Sequence, residues 1–294
     1  MIKVICFGEM LWDCFPDGKM PGGAPMNVAL HLKQLGLNAK LVSKIGNDSS
    51  GEKLVRFMEG YQMPIGLIQI DSSVPTGQVI IDDTDKENIK YEIISPAAWD
   101  FITLSERLKK ETQNAKALVF GSLSVRHKES LATLKQLVDY PLLKIFDINL
   151  RAPFIDFNKI EYLLKKTDIL KINDDELQLL VKYFKIDLRN EIEEELFNYL
   201  SKNYSIQNVC ITLGSKGAMM YQEGMFFHHS GYTIKVEDTV GAGDAFLSGF
   251  IKMYLKDNAP NEVLDFACKL GAFVAGKKGG TPKYNLADVE SLKA

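Results

Sequence analysis

Short apolar runs, many of them β-branched, alternate along the chain with longer segments in which apolar residues recur every three or four positions. The short runs predict strands over residues 4–7, 41–45, 118–120, 144–148, 169–172 and 209–213. The longer segments predict helices, including those over residues 25–35, 51–58, 242–256 and 261–276. Strands that are apolar on both faces and separated by helices favour a doubly wound, mostly parallel α/β sheet, whose ligand crevice lies at the carboxyl ends of the strands.

One region departs from this alternation. Residues 65–94 are predicted to form short strands over 67–70, 77–81 and 90–94, with a polar turn over 82–88. We expect a small accessory sheet there, serving either as a lid over the crevice or as a dimer surface. The whole chain, residues 1–294, is therefore interpreted as one α/β domain with lid elements inserted at about 12–20 and 65–100.

The composition narrows the classes of function. The chain has 294 residues, 46% of them apolar and 25% charged, which excludes a disordered or collagen-like protein. Its net charge of −3 offers no broad attraction for nucleic acid or acidic membranes, so the expected partner is a small molecule. No uncharged apolar run reaches the roughly 18 residues of a membrane span, and the first residues lack a signal-peptide core, so the expected location is the cytoplasm.

The cysteines and histidines lack the spacing of metal ligands. Cys6, Cys14, Cys210 and Cys268 are scattered among mostly apolar neighbours, which predicts free buried thiols rather than a disulfide framework or a zinc site. The histidines show no ligand spacing either, and His31 falls on a predicted helix. A metalloenzyme is therefore not expected.

The sharpest chemical feature is a small-residue turn that leads into the helix predicted over residues 242–256. Gly241, Ala242 and Gly243 let a ligand approach the backbone, and unpaired N–H groups and the positive end of the helix dipole face whatever lies over them. This pattern predicts an anion site suited to a phosphoryl group. Asp244, in the first helical turn, is a candidate base for a hydroxyl proton. A simple helix cap explains the same aspartate equally well.

A second glycine cluster precedes the helix predicted over residues 25–35. The backbone at Gly22 and Gly23 can approach sugar hydroxyls closely, and the amide of Asn27 can both donate and accept hydrogen bonds. Asp13, just beyond the first strand, can accept two hydrogen bonds from a vicinal diol. The cluster is a candidate polyol site. The alternatives are a turn with a proline at the helix start and an ordinary loop carboxylate.

Polar residues alternate at the end of the strand predicted over residues 144–148. Asp147, Asn149 and Arg151 are expected to project from one face of the strand, and the guanidinium group of Arg151 suits phosphate oxygens. A strand-end ion pair is the alternative interpretation.

Six motifs follow one another along nearly the whole chain. They are Gly22-Gly23 with Asn27, Ile45-Gly-Asn-Asp48 with Gly51, Asp147-Ile-Asn149-Leu-Arg151, Asn173-Asp-Asp-Glu176, Thr212-Leu-Gly214-Ser-Lys-Gly217 and Asp238-Thr-Val-Gly-Ala-Gly-Asp244. In this order they resemble the ribokinase and fructokinase family of carbohydrate kinases, also called the phosphofructokinase-B type. The last motif is highly specific, whereas the others are weak when taken singly.

The resemblance implies a ribokinase-like fold with a small β-sheet lid, and ATP-dependent phosphorylation of a sugar hydroxymethyl group. It implies that Asp244 is the base and that the amides of Gly241, Ala242 and Gly243 hold the moving phosphoryl group. The residues that resemble the sugar site are Asp13, Gly22, Gly23, Asn27 and Asp244. Arg151 is implied to face the sugar or the phosphate.

The resemblance also implies a nucleotide and metal site. The residues that resemble the nucleotide site are Thr212, Gly214, Gly217, Asn173 and Gly243. Glu176 corresponds to a group that organises Mg2+ through water, and Asp238 is a candidate for a monovalent cation such as K+. Without the resemblance, a helix cap with a capping-box glutamate and a tight glycine hairpin explain the same spacings. Residues 273–282 correspond to the adenine-side loop, although Lys277, Lys278 and Gly280 depart from its usual residues.

Fructose is the preferred acceptor on this resemblance. Gly-Gly-Ala-Pro at 22–25 and Ala-Ala-Trp-Asp at 97–100 resemble the fructokinase branch, whereas ribose kinases usually carry a lysine after the glycine pair. Ribose, 2-keto-3-deoxygluconate and nucleosides are alternative acceptors, and a non-catalytic sugar-responsive binding protein on the same fold is an alternative of another class. The expected partners are the sugar and ATP, without nucleic acid or membrane, and the lid sheet is a candidate homodimer surface.

Overall fold

The computed structural model describes residues 1–82 and 90–292, so the polar turn predicted over 82–88 lies, beyond its first residue, outside the described residues. The strands are β1 (Lys3–Phe7), β2 (Leu11–Phe15), β3 (Gly18–Gly22), β4 (Asn38–Gly46), β5 (Ile68–Asp71), β6 (Gly77–Asp82), β7 (Lys90–Ile93), β8 (Ala117–Gly121), β9 (Leu143–Asp147), β10 (Ile169–Asn173), β11 (Asn208–Thr212), β12 (Ala218–Gln222) and β13 (Met225–His229). The helices are α1 (Ala24–Gln34), α2 (Ser49–Glu59), α3 (Glu106–Gln113), α4 (Lys128–Leu137), α5 (Phe157–Leu164), α6 (Asp174–Phe184), α7 (Ile192–Tyr204), α8 (Ala242–Tyr254), α9 (Pro260–Ala275) and α10 (Leu286–Glu290). The six strands and four helices predicted from the apolar pattern are confirmed, with small shifts at their ends.

Nine strands of the described chain form one sheet, in the order β13-β12-β11-β10-β9-β8-β1-β4-β5. The strands from β11 to β5 in that order are parallel, and β12 and β13 extend the sheet as an antiparallel meander. The chain adds strands first on one side of β1 and then on the other. The loops therefore diverge at the carboxyl end of β1, which is the switch point at which open α/β sheets bind ligands.

Helices cover both faces of this sheet, as its unbroken apolar strands predict. One core cluster joins the sheet to α1, α8 and α9, and a second joins it to α3, α4, α5, α6 and α7. A polar pair lies on the sheet face that α1, α8 and α9 cover. Lys171 of β10 is opposite Asp147 of β9 in the parallel register. Ile169 and Ile145, two residues earlier on these strands, belong to the first cluster, so the pair points toward α8.

A smaller sheet has the order β3-β2-β6-β7. Its β2–β3 hairpin reaches the loop after α9, since the Cε of Met20 lies 2.6 Å from the place that a Cβ on Gly279 would take. The assignment of residues 67–70 to this accessory sheet is wrong. That run forms β5, which pairs in parallel with β4 at the edge of the large sheet. A four-residue apolar run carries no information about its partner, which is set by long-range register.

The motif around Asp48 has a structural explanation. Asp48 caps α2, because its Oδ1 accepts a hydrogen bond of 2.8 Å from the amide of Gly51. The same carboxylate accepts bonds from the amide and the hydroxyl of Thr76, at 2.9 and 2.8 Å. These bonds tie the entry of β6 to the end of β4, and so fix the small sheet against the large one.

Two further expectations can be checked at this level. All four cysteines are buried and free, as predicted. Within the described residues, no helix combines the length and the apolarity that a membrane crossing requires.

Candidate active site

The turn before α8 leaves backbone donors free at the carboxyl end of the sheet. Gly241 adopts a left-handed conformation with φ of 71°, which favours glycine, and its carbonyl accepts the first helical bond from Ala245 at 2.9 Å. The amide of Ala242 donates a long bond of 3.3 Å to Thr239. In the described chain, the amides of Gly241, Gly243 and Asp244 have no acceptor. The turn formed by Gly241, Ala242 and Gly243, called the anion turn below, therefore has free N–H donors at Gly241 and Gly243. The N–H group of Ala242 already donates to Thr239.

Asp244 lies in the first turn of α8 but does not cap the helix. The N-cap is Gly241, and the Oδ2 of Asp244 instead accepts a 2.8 Å hydrogen bond from the Nδ2 of Asn27 on α1. Burial raises the pKa of Asp244 to about 7, and the charge of Asp147 adds to this rise. The hydrogen bond from Asn27 and the charges of Lys171 and Arg151 act in the opposite direction. A carboxylate with this pKa is suited to accept a proton near neutral pH.

The second glycine cluster places Asp13 beside the start of α1. Asp13 lies in β2 rather than in a loop, and a Cβ on Gly22 would stand 2.1 Å from its Oδ2. Gly23 has φ of 112°, and a Cβ there would stand 2.5 Å from the carbonyl oxygen of Glu9. Gly23 therefore requires a glycine, since its φ is positive and the close atom belongs to the backbone, whereas a side chain at Gly22 would displace the carboxylate of Asp13. Burial raises the pKa of Asp13 to about 6, while the charge of Arg151 lowers it.

Asn27 connects this cluster to Asp244. Its side chain is 4% exposed, and its Oδ1 is buried without a hydrogen-bond partner among the described residues. A buried acceptor of this kind is costly unless something donates to it. A sugar hydroxyl is a donor of the right type, so the orphaned oxygen fits the predicted polyol site.

The predicted alternation of Asp147, Asn149 and Arg151 is wrong. β9 ends at Asp147, and Asn149 has φ of 41°, which breaks the extended conformation that would put the three side chains on one face. The predicted alternative, an ion pair at the strand end, does form, but between Asp147 and Lys171 at 3.0 Å. Arg151 donates to the carbonyl of Leu150 at 3.0 Å, and its charge lowers the pKa of Asp13 and Asp244. The guanidinium group of Arg151 is therefore close enough to act on Asp13 and Asp244, although strand alternation does not place it there.

Two charged residues of this site were not found by sequence reasoning. Lys171 is 7% exposed, and its Nζ lies 3.5 Å from the place that a Cβ on Gly243 would take. Burial acts to lower the pKa of Lys171, but the carboxylates of Asp147, Glu176 and Asp244 outweigh it and raise that pKa. A lysine between apolar neighbours in a predicted core strand was the available signal.

Glu9 is the second of these residues. It is 2% exposed and accepts a 2.8 Å hydrogen bond from the hydroxyl of Ser124, and burial raises its pKa. The charges of Arg151 and Arg126 act against that rise. Glu9 follows β1 at the switch point of the sheet, so its position after the first strand was the signal for it.

Asn173 and Glu176 form the capping box that the sequence offered as the alternative. Asn173 accepts from the amide of Glu176 at 2.8 Å, and Glu176 accepts from the amide of Asn173 at 3.0 Å. The other carboxylate oxygen of Glu176 accepts from the amide of Leu150 at 2.7 Å. In the described residues, no three His, Cys, Asp or Glu side chains are grouped to hold a metal ion. Because both carboxylate oxygens of Glu176 already accept backbone hydrogen bonds, a Mg2+ carried by nucleotide phosphates would meet Glu176 through water.

The predicted nucleotide loop is the hairpin between β11 and β12. Gly214 starts a short 3-10 turn with φ of 58°, and Gly217 follows it with φ of 90°. A Cβ on Gly217 would stand 1.9 Å from the carbonyl oxygen of His229, so the hairpin packs directly on β13. The hydroxyl of Thr212 donates to the carbonyl of Ile172 at 3.4 Å. The default glycine hairpin is therefore present.

Asp238 ties the predicted adenine-side loop to the anion turn. Its two carboxylate oxygens accept from the amides of Val240 at 2.9 Å and Gly279 at 3.0 Å. Gly241 and Gly280 touch, since a Cβ on Gly241 would stand 2.5 Å from the Cα of Gly280. The anion turn and the loop after α9 therefore pack together as one unit.

Comparison with known proteins finds matches over nearly the whole chain. A family model described as pfkB family carbohydrate kinase matches residues 2–285. Fructokinase-2 of Solanum lycopersicum is 28% identical over 313 residues, which cover 95% of this chain and 92% of the relative.

Two solved structures share the fold. A fructokinase from Xylella fastidiosa with bound ATP superposes with a TM-score of 0.85 at 19% identity, covering 99% of this chain and 97% of that chain. A double mutant of the fructokinase from Vibrio cholerae O395, with fructose, ADP and potassium bound, gives a TM-score of 0.84 at 23% identity, covering 99% and 98%.

Proposed function

This chain belongs to the pfkB family of carbohydrate kinases, and from that premise we propose that it transfers the γ-phosphoryl group of ATP to a hydroxymethyl group of fructose. One observation carries the proposal. The 2.8 Å hydrogen bond from Asn27 to Asp244 joins the motif suited to a polyol with the motif suited to a phosphoryl group. A hydroxyl bound beside Asn27 would lie next to a carboxylate at the mouth of the anion turn. That adjacency is what phosphoryl transfer to an alcohol requires.

The reaction follows from these positions. Asp244 accepts the proton of the attacking hydroxyl, whose oxygen bonds to the γ-phosphorus while the bond to the bridging oxygen breaks and ADP leaves. The free amides of Gly241 and Gly243 stabilise the charge on the moving phosphoryl group. Mg2+, when bound with the nucleotide, neutralises charge on the phosphate oxygens.

Binding of the sugar uses the other carboxylate. Asp13, held against Gly22, accepts hydrogen bonds from sugar hydroxyls, and Arg151 adds positive charge to the same cleft. Thr212, Gly214 and Gly217 line the nucleotide side in this proposal, and a monovalent cation, K+, is assigned to Asp238. The structure of a fructokinase relative with fructose, ADP and potassium bound supports this choice of ligands.

The small sheet is the lid of the cleft in this proposal. A cavity of about 340 Å³ lies between its β2–β3 hairpin and the residues Asp238 and Lys278, and its lining on the hairpin side includes Lys19 and Met20. Closure of this hairpin would exclude water from the reacting groups, as lids do in kinases.

The test is sugar-dependent ADP release by the purified protein. ATP and Mg2+ are supplied with fructose, ribose, 2-keto-3-deoxygluconate and a nucleoside in turn. We expect the highest kcat/KM with fructose, because several relatives that match nearly the whole chain are fructokinases. A higher kcat/KM with another acceptor would show that this acceptor, and not fructose, is the preferred substrate. Saturable fructose binding without turnover would instead favour a sugar-responsive binding protein.

A further inference from the structure

One face of α1 carries three polar residues where the helix meets the loop after α9. Asn27, His31 and Gln34 follow one another at spacings of four and three residues, so they share a face. Asn27 reaches Asp244, whereas Gln34 donates to the carbonyl of Pro282 and accepts from the amide of Tyr284, both at 3.2 Å. The middle residue of this stripe has no role in the function proposed above.

His31 is completely buried and uses both of its ring nitrogens. Its Nε2 lies 2.9 Å from the carbonyl oxygen of Gly280, and its Nδ1 lies 2.9 Å from the hydroxyl of Tyr284. A carbonyl can only accept, so Nε2 carries the proton and Nδ1 accepts from Tyr284. Burial lowers the pKa of His31 to about 4, so the imidazole is neutral near pH 7 and holds this single tautomer.

Gly280 is the point at which this bond reaches the active site. A Cβ on Gly280 would stand 3.2 Å from the Nδ2 of Asn27 and 3.4 Å from the Cα of Gly241. From the other side, a Cβ on Gly241 would stand 2.6 Å from the carbonyl oxygen of Gly280. The carbonyl that His31 holds therefore rests against the anion turn, and a displacement of Gly280 would displace Gly241.

The loop that contains Gly280 is fixed at several further points. Asp238 binds the amide of Gly279, and the hydroxyl of Tyr61 donates to the carbonyl of Thr281 at 2.5 Å. These contacts hold the residues on either side of Gly280. Within the described residues, Gly280 itself receives one side-chain hydrogen bond, and His31 donates it.

We propose that His31 is a positioning residue that holds Gly280 against the anion turn, so that α1, which also carries Asn27, sets the geometry in which the nucleotide phosphates bind. This inference rests on the proposed function, since it assigns a role within the same site. An apolar residue could fill the space of His31 without the cost of burying two polar nitrogens. The imidazole is useful because it satisfies a carbonyl that would otherwise be buried without a donor.

The decisive experiment measures steady-state kinetics of the full chain with three variants. His31→Leu removes both hydrogen bonds. His31→Gln retains a donor, because the amide nitrogen of glutamine reaches as far along the side chain as Nε2. Tyr284→Phe removes only the hydroxyl that donates to Nδ1. Leu32→Ala is the matched control, because Leu32 is buried in the core on the same helix and its loss destabilises the fold without touching the loop.

A positioning role predicts a split between the two substrates. We expect His31→Leu to raise KM for ATP about tenfold or more, with KM for the sugar changed by less than about threefold. His31→Gln should recover most of the affinity for ATP. The KM for ATP of Tyr284→Phe should lie between those of the wild type and His31→Leu. Leu32→Ala should lower the melting temperature while leaving both KM values near those of the wild type.

The result that would overturn the proposal is a His31→Leu variant that melts earlier, as Leu32→Ala does, but keeps the wild-type KM for ATP. Equal loss in His31→Gln and His31→Leu would also overturn it, since the retained donor would then be without effect. Calorimetric titration of each variant with ATP and Mg2+ separates this inference from the proposed function. If no sugar supports turnover, the proposed function fails, while the ATP affinities still decide the role of His31.

Discussion

The two ends of the nine-stranded sheet hold carboxylates in opposite protonation regimes. At the amino end, Glu111 of α3 lies between Lys3 at 2.7 Å and Lys40 at 2.6 Å, and these hydrogen bonds hold its pKa down at about 2. At the carboxyl end, Asp244 receives a neutral amide donor from Asn27, and burial raises its pKa to about 7. The same functional group is thus a firmly ionised anchor at one end and a proton acceptor at the other.

The difference lies in where the cations are placed. A lysine within hydrogen-bond distance stabilises the ionised carboxylate and removes its tendency to take up a proton. At the carboxyl end the nearby lysine, Lys171, is bound to Asp147, and it acts on Asp244 only through its charge. Asp244 therefore keeps a high affinity for protons, which is unfavourable for an anchor and useful for a base.

The largest expected effect is on stability, and it comes from removing the buried cation. Lys171→Met leaves Asp147, which is 5% exposed, without its partner, so we expect the free energy of unfolding to fall by about 3 to 5 kcal/mol. Urea unfolding at pH 7.5 measures this. The matched control is Lys144→Met, whose partner Asp168 is 43% exposed at its side chain, and its effect should stay within about 1 kcal/mol. Equal effects of the two variants would remove the contrast between buried and exposed pairs.

The next effect concerns turnover. Asp244→Asn keeps the size of the side chain and a polar partner for Asn27 but cannot accept the proton of the attacking hydroxyl. We expect kcat to fall by about 10²-fold or more, with a modest change in sugar affinity. Glu111→Gln at the opposite end of the sheet is the control and should turn over normally. Near-normal turnover by Asp244→Asn would show that the base lies elsewhere.

A pH profile sharpens the comparison without a mutation. Asp244 acts as a base only when ionised, and its pKa is about 7, well above the ordinary 3.8 of an aspartate. The sign follows directly: kcat/KM should fall about tenfold per pH unit below pH 7 and level off above it. Measurement between pH 5.5 and 8.5 on the wild type and on Asp244→Asn tests this. A wild-type profile that is flat down to pH 5.5 would contradict the raised pKa.

The sequence predicted the architecture better than the pairing of its parts. The periodic apolar positions were sufficient for β1, β4, α8 and α9, because each of these elements buries a stripe or face that its own residues define. The partner of β5 could not be predicted, since four residues with similar propensity fit either sheet. The strands β2 and β3 were also missed as strands, because their alternating polar residues Asp13 and Lys19 face a ligand cleft or solvent rather than a core.

The residues of the site divide in the same way, into those that local conformation made predictable and those that depend on distant partners. The turn of Gly241 to Gly243 could be predicted because its conformation requires small residues locally. The alternation of Asp147 and Arg151 failed because a single left-handed residue, Asn149, turns the chain between them, and no periodic pattern records such a residue. Lys171 and His31 act through partners far away in the sequence, so only the folded register and the packing of the loop after α9 identify them.

The smallest expected effect comes from the anchor at the amino end. Glu111→Gln removes a charge from a partly exposed cluster, so we expect the free energy of unfolding at pH 7 to fall by only about 1 kcal/mol, and by less in high salt. The pKa of Glu111 lies at about 2, below the ordinary 4.5, so its contribution is complete above pH 4.5 and is lost as the pH falls through 2. The difference between wild type and variant should therefore shrink between pH 5 and pH 3. A difference that stays constant over that range would mean that Glu111 is not held ionised by Lys3 and Lys40, and the contrast with Asp244 would rest on burial alone.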